Sequence, residues 1–403
     1  MRFDVAAPRR IAFGPSRVAG VGDAAAALGL RALLVTGATP ARAEPVARRL
    51  AEAGLGSVTA TVEGEPTVTR IEEIVARAAA EGCDVVVSVG GGSVVDAGKA
   101  AAALAAAPGP TRRYLEVIGE GHPLEADPLP HVAVPTTAGT GAEVTKNAVL
   151  GVPHEGLKVS LRDARMVPQQ AIVDPELTHG LPVAVTVRTG LDALTQLIEP
   201  FTSPEASPVT DALCRDGIPR AARALPRVAR TAAEQEAART AAEPAEPAEP
   251  AEDVDAREDM ALAALLGGLA LANAKLGAVH GFAGPLGGLR PAPHGAICGR
   301  LLPVVTEANL RALREREPAH PALDRYAEVA RLLTGHDAAT ADDAVAFLEA
   351  LVGDLDVPGL AAWGVTEGDV PGLVTAAARA SSMRGNPIEL TEDERAAVLR
   401  HAL

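Results

Sequence analysis

The sequence predicts a two-part fold: an α/β unit with a parallel, helix-covered, Rossmann-like sheet over residues 1–180, then an all-helical unit over 181–403. Three observations carry that expectation. Up to about residue 180, short aliphatic runs bounded by Gly, Pro or Asp alternate with Ala-rich segments of helical period. Beyond that point the strand-like runs stop and Ala/Leu/Glu/Arg segments take over. Finally, 403 residues are enough for two domains, and a chain 48% hydrophobic but only 2% aromatic must build its cores mainly from Ala, Val, Leu and Ile.

In chain order, Ala32-Leu33-Leu34-Val35-Thr36 and Asp84-Val85-Val86-Val87-Ser88-Val89 read as strands buried on both faces, because the aliphatic run is continuous rather than alternating. His131-Val132-Ala133-Val134-Pro135 reads as a third strand, and helices are predicted at 41–53, 69–81 and 93–106. In the second unit the helical period covers 183–199, 206–242, 256–280, 294–315, 321–334, 339–353, 366–380 and 391–402. One stretch breaks the pattern. From Ala242 to Glu252 a Pro-Ala-Glu repeat places prolines where no helix can continue, and it reads as a disordered surface insertion at about 241–255.

Charge and cysteine usage remove several classes of function. Lys and Arg number 37 against 52 Asp and Glu, and the formal charge of −15 repels phosphate backbones, so no nucleic-acid partner is expected. No apolar run reaches the roughly 18 to 20 residues of a membrane helix, and Met1-Arg2-Phe3-Asp4-Val5 lacks the regions of a secretory signal. A cytoplasmic protein without a membrane partner is the expectation. Cys83, Cys214 and Cys298 are odd in number and widely spaced, which suits buried reduced thiols rather than a disulfide framework or a C-x-x-C metal knot.

Two glycine-rich turns stand at predicted strand ends. Gly90-Gly91-Gly92-Ser93 joins a strand to a helical segment, where glycines let the backbone approach a diphosphate and the free first-turn amides point at it. The spacing is neither G-x-G-x-x-G nor a P-loop. The second turn, Pro135-Thr136-Thr137-Ala138-Gly139-Thr140-Gly141-Ala142-Glu143, concentrates hydroxyls and backbone amides. An open α/β sheet binds its ligand at the carboxyl ends of its strands, so one nucleotide site can use both turns.

Together, Gly90-Gly91-Gly92-Ser93-x-x-Asp96-x-x-Lys99 and Pro135-Thr136-Thr137-Ala138-Gly139-Thr140-Gly141-x-Glu143 strongly resemble the iron-containing (group III) alcohol dehydrogenase family, from about residue 10 to the C-terminus. The resemblance implies a dehydroquinate synthase-like architecture, in which a nucleotide-binding domain faces a helical metal-binding domain. It implies hydride transfer between NAD or NADP and an alcohol or aldehyde, and a homodimer or larger homo-oligomer. Gly91, Gly92 and Ser93 would hold the pyrophosphate, Thr136, Thr137 and Thr140 would line the cofactor, and Lys158 would reach the nicotinamide ribose. Where NAD-selective members commonly place an Asp after the first strand, this chain has Gly37, with Arg42 nearby. That removes the repulsion of a 2′-phosphate and leaves NADH and NADPH both open.

The same resemblance implies one divalent iron or zinc that polarises the substrate oxygen. Asp192, His280 and His294 fall on three of the family's ligand positions and would act catalytically through the metal. Gln196 replaces the His of the fourth; its neutral amide oxygen is a poorer donor, which favours weaker iron retention or a preference for zinc. Gly284 replaces another family His, often assigned to proton relay. Val149, Leu150, Phe282 and Arg290 are candidate pocket residues. Alternatives are a metal-free reductase resembling maleylacetate reductase, which the retention of Asp192 argues against, a cyclase resembling dehydroquinate synthase, and a non-catalytic nucleotide-binding pathway protein.

Overall fold

Six parallel strands form the sheet of the first unit. The computed structural model describes residues 2–241 and 251–403, so most of the Pro-Ala-Glu insertion lies outside the described residues. The elements run β1 (Arg10–Phe13), α1 (Val21–Ala26), β2 (Arg31–Thr36), α2 (Glu44–Glu52), β3 (Gly56–Thr61), α3 (Val68–Ala80), β4 (Val85–Gly90), α4 (Gly92–Ala106) and β5 (His131–Pro135). After the β6 (Asn147–Val152) and β7 (Leu157–Arg162) hairpin, β8 (Gln170–Val173) returns to the sheet, whose order is β1-β8-β5-β4-β2-β3.

Continuous aliphatic runs mark the central strands because both faces are covered. Leu33 and Val35 of β2 and Val86 of β4 pack with Ile71 and Ile74 of α3 and Val94 and Ala97 of α4. The alternate residues, Leu34, Val85, Val87 and Val89, pack with Val21 and Ala25 of α1 and Val46 and Leu50 of α2. A period of two thus becomes two separate apolar layers. The predicted strands and helices of this unit are present with ends shifted by a few residues; α1, β1, β3, β8 and the antiparallel hairpin are additional.

The second unit contains α5 (Val183–Thr202), α6 (Pro208–Ala241), α7 (Val254–Asn273), α8 (Ala278–Leu289), α9 (His294–Arg316), α10 (Ala322–Thr334), α11 (Ala341–Asp354), α12 (Val370–Arg379) and α13 (Glu392–Ala402). Two expectations are corrected here. The helix predicted over 256–280 ends at Asn273, and α8 starts anew at an angle of 97° after a four-residue break. At the end of the expected insertion, Asp253 caps α7 by accepting from the Ala256 amide, so Val254 and Asp255 are helical rather than loop. Two compact units result: Val5–Thr137 with Gly141–Thr178, and mainly His179–Leu403 with Ala138–Thr140. Among the described residues no single helix is long and apolar enough to cross a membrane.

Candidate functional site

In the α/β unit the chain direction across the sheet reverses between β2 and β4, and ligands bind outside the carboxyl ends of strands at such a switch point. Gly37 follows β2 there, with only Val94 Cγ2 near its missing Cβ, at 3.7 Å. Gly91 caps α4 in extended conformation with no side-chain hydrogen bond, leaving the first-turn amides at Gly92 and Ser93 to a ligand. The Thr136 amide donates to Gly90 O at 2.9 Å, tying the second turn to the first, and a Cβ on Gly91 would touch the Thr137 side chain at 3.5 Å. Gly37, Gly91, Gly92, Ser93, Thr136 and Thr137 therefore share one edge of the sheet.

The other two cofactor candidates have different surroundings. Thr140 groups with the helical unit, where Gly139 packs so closely on α5 that a Cβ would sit 2.7 Å from Thr189 Cβ. Lys158 stands on β7 and pairs with Glu65 at 2.6 Å.

Beneath the turns, charge is neutralised internally. Lys99 is wholly buried, with Nζ 2.9 Å from Asp96 Oδ1 and 2.8 Å from Thr145 Oγ1. Burial pushes the neighbouring Glu143 carboxyl up to about 7 against the pull of its own backbone amide and Lys99, and burial together with Lys99 lowers His131 to about 3.

In the helical unit, residues far apart in sequence meet. Asp192 and Gln196 lie one turn apart on α5, His280 is in the first turn of α8, and His294 opens α9. Glycine makes the α5–α9 approach possible: a Cβ on Gly295 would lie 2.0 Å from Arg188 O, and one on Gly299 2.5 Å from Leu191 Cδ1. That close packing sets His294 Nε2 3.7 Å and His280 Nε2 3.5 Å from Asp192 Oδ1. The imidazole centroids are 5.3 Å apart.

Neither the Asp192 Oδ1 nor the Gln196 Oε1 atom has a hydrogen-bond partner, although both are buried. An orphaned buried oxygen is costly, and Asp192 Oδ1, which faces both imidazoles, makes with them a set that suits a divalent cation; Gln196 Oε1 is a second unpartnered oxygen one turn further along α5. Burial alone would lift the Asp192 carboxyl, but His280 and His294 hold it below the ordinary carboxylate range. Burial would likewise lower both imidazoles. Cys298, Glu199 and Asp192 raise His280 well above its ordinary value, and Cys298 and Asp192 raise His294.

Two participants escaped the sequence reading. Glu199 lies on the buried stretch of α5 seven residues after Asp192; its Oε2 lies 2.6 Å from His280 Nδ1, and its Oε1 accepts from the Val279 amide at 2.7 Å. This carboxylate fixes the imidazole so that Nε2 faces Asp192, and it also stabilises the α8 N-terminus. The i to i+7 spacing was its signal. Cys298 follows His294 by one helical turn and brings its sulfur into the cluster, so the expected buried thiol has imidazoles as neighbours.

Gly284 has open space where its Cβ would be. Among the proposed pocket residues, Leu150 is wholly buried in the apolar layer with α3 and α4, Phe282 is wholly buried in the core of the helical unit, and Arg290 pairs with Asp369 at 2.8 Å, so these do not present free side chains. Val149 is partly exposed on β6.

Comparison with known proteins gives a consistent outcome over the whole chain. Residues 8–175 match the family model described as iron-containing alcohol dehydrogenase, and residues 186–403 match the C-terminal model of the Fe-containing alcohol dehydrogenase family. The 1,3-propanediol dehydrogenase of Klebsiella pneumoniae is 34% identical over 99% of this chain and 98% of its own length. The NAD-dependent methanol dehydrogenase of Bacillus methanolicus is 33% identical over 93% and 92%. A crystal structure of 1,3-propanediol oxidoreductase superimposes with a TM-score of 0.88 at 33% identity, each chain being covered in full.

Proposed function

The chain belongs to the iron-containing alcohol dehydrogenase family, and from that membership we propose a metal-dependent, NAD(P)-linked oxidoreductase that interconverts a small alcohol and its aldehyde or ketone. The observation that carries the metal-dependent reading is the convergence of His280 and His294 on the buried, orphaned Asp192 Oδ1. When bound, the metal supplies Lewis-acid polarisation of the substrate oxygen and the nicotinamide supplies or accepts the hydride.

The α/β unit takes the dinucleotide: Gly91, Gly92 and Ser93 offer first-turn amides to the pyrophosphate, and Thr136 and Thr137 border it. Thr140 and Lys158 are assigned to the cofactor by the family pattern. The helical unit takes the metal and substrate oxygen, with Asp192, His280 and His294 as strong donors and Gln196 as a neutral one. Glu199 positions His280, keeping its Nδ1 proton engaged so that the Nε2 lone pair serves the metal. His294, whose side chain is 38% exposed, is the member that solvent reaches. With glycine at 284, no side chain there can carry a proton, so relay falls to water or to a substrate group.

The open position of Gly37 leaves NADPH usable beside NADH. Three free cysteines fit a reducing, cytoplasmic setting, and the family pattern assigns a homodimer or larger assembly that sedimentation would measure. The deciding experiment is an aldehyde panel with NADH and NADPH on protein of measured metal content. Activity that survives complete removal of divalent metal would replace this mechanism with a metal-free reductase.

A further inference from the structure

Cys298 is fully buried on α9, one turn after His294, with Sγ 3.6 Å from His294 Nε2 and 3.9 Å from His280 Nε2. Both nitrogens also face Asp192 Oδ1 at 3.7 and 3.5 Å, and the four donor atoms all lie within 4.8 Å of one another. These N···O separations exceed the usual hydrogen-bond range. They lie within a few tenths of an ångström of the edges of a tetrahedron around one ion: legs of about 2.3 Å to sulfur and about 2.0 Å to nitrogen or oxygen give S···N edges of ~3.5 Å and N···O edges of ~3.3 Å. The orphaned Asp192 Oδ1 independently marks the cluster as incomplete. Cys214 shows the contrasting case, a thiol packed in the hydrophobic core and pushed well up by burial.

We infer that Cys298 is a metal ligand, its thiolate sulfur providing the fourth strong donor that glutamine at 196 does not provide. The inference rests on the metal-dependent reading above and specifies its chemistry. As the sulfur–metal bond forms, the thiol proton leaves to solvent and no electron changes hands. One thiolate, one carboxylate and two imidazoles make a softer set than carboxylate and imidazole alone, which shifts preference from iron(II) toward zinc. Gln196 is left as the weakest donor of the group.

The test is spectroscopic and does not depend on turnover. Whole protein is stripped with chelator, reloaded with cobalt(II), and scanned in the near ultraviolet for sulfur-to-cobalt charge transfer. The unaltered protein and Cys214→Ser should show the band. Cys298→Ser should lose it while retaining the visible cobalt bands, with metal affinity lower by about 10- to 100-fold. Because a Cys298 variant can misfold, zinc-edge X-ray absorption on the unaltered protein reads the same bond directly, as a sulfur at about 2.3 Å. Cobalt bound without charge transfer, or zinc with no sulfur neighbour, overturns the Cys298 assignment and leaves the metal reading standing. Failure of the unaltered protein to bind any divalent metal overturns both.

Discussion

At the carboxyl ends of β4 and β5 the groups offered to a ligand are backbone amides and hydroxyls, whereas α5, α8 and α9 offer a carboxylate, imidazoles, an amide and a thiol. The first region has its formal charge settled below the surface, with Lys99 held by Asp96 and Thr145. The second has buried oxygens without partners and imidazoles driven toward their protonated form. A site made of backbone can be complete before its ligand arrives, because turn and helix geometry alone places the donors. A site made of charged side chains is not balanced until a cation or protons fill it. The two regions should therefore respond oppositely to substitution, to pH and to metal removal.

The largest effects should come from a reciprocal pair. Asp192→Ala removes the one carboxylate of the proposed metal set and should cost metal and activity together, by about 10³-fold if several kcal/mol of charge stabilisation is lost. Dinucleotide affinity should stay within about twofold. Gly92→Asp should do the reverse, placing a carboxylate against the pyrophosphate and abolishing dinucleotide binding while metal content stays normal. Calorimetric titration of NADH beside elemental analysis checks both, and loss of both ligands in either folded variant would show that the regions are not independent.

Next in size is Glu199→Gln, which keeps the shape but weakens the grip on His280 Nδ1. Metal affinity should fall by about 10- to 100-fold, with NADH binding unchanged. An unaltered metal dissociation constant would reduce Glu199 to a helix-capping role for α8.

The pH dependence should separate metal-free from loaded protein. With folded-state values raised, His280 and His294 contribute stability that is complete below about pH 6.5 and is lost as pH rises through the raised values. Asp192, held down, contributes above about pH 3.9 and loses that contribution as pH falls through its depressed value. Thermal midpoints of metal-free protein should accordingly decline on the alkaline side. In loaded protein the cation replaces the protons, so the alkaline decline should vanish and an acid one should appear as protons displace metal. Superimposable profiles would mean that the cluster is not the metal site.

The smallest expected effect is confined to the α/β unit. Gly37→Asp has room for its Cβ and should weaken NADPH by about tenfold, ~1.4 kcal/mol, while barely changing NADH. Equal changes in KM for the two cofactors would place residue 37 away from the adenosine ribose.

Much of the first region was legible in the sequence because it is local. Val85–Gly90, the glycine turn and Gly92–Ala106 are contiguous, so strand, turn and helix N-terminus follow from neighbouring residues alone. The short edge strands β1 and β3 and the β6–β7 hairpin were less visible, since their partly exposed faces carry weaker apolar patterns. Likewise the helix break at residues 274–277 interrupts a region of helical composition without a proline to announce it.

By itself, then, the sequence determined the α/β-then-helical order, the glycine turns, and the shared face of Asp192 and Gln196, each set by residues within a few turns of one another. Only the tertiary structure decided that His280 and His294, roughly ninety and one hundred residues from Asp192, converge on its carboxylate, and that Glu199 and Cys298 join them. Periodicity reports which face of a helix is buried but carries no information about which other helix covers it. That choice is made by packing, here by the bare backbone of Gly295 and Gly299 admitting α5, and it turns a cysteine that composition marks only as buried into a neighbour of two imidazoles.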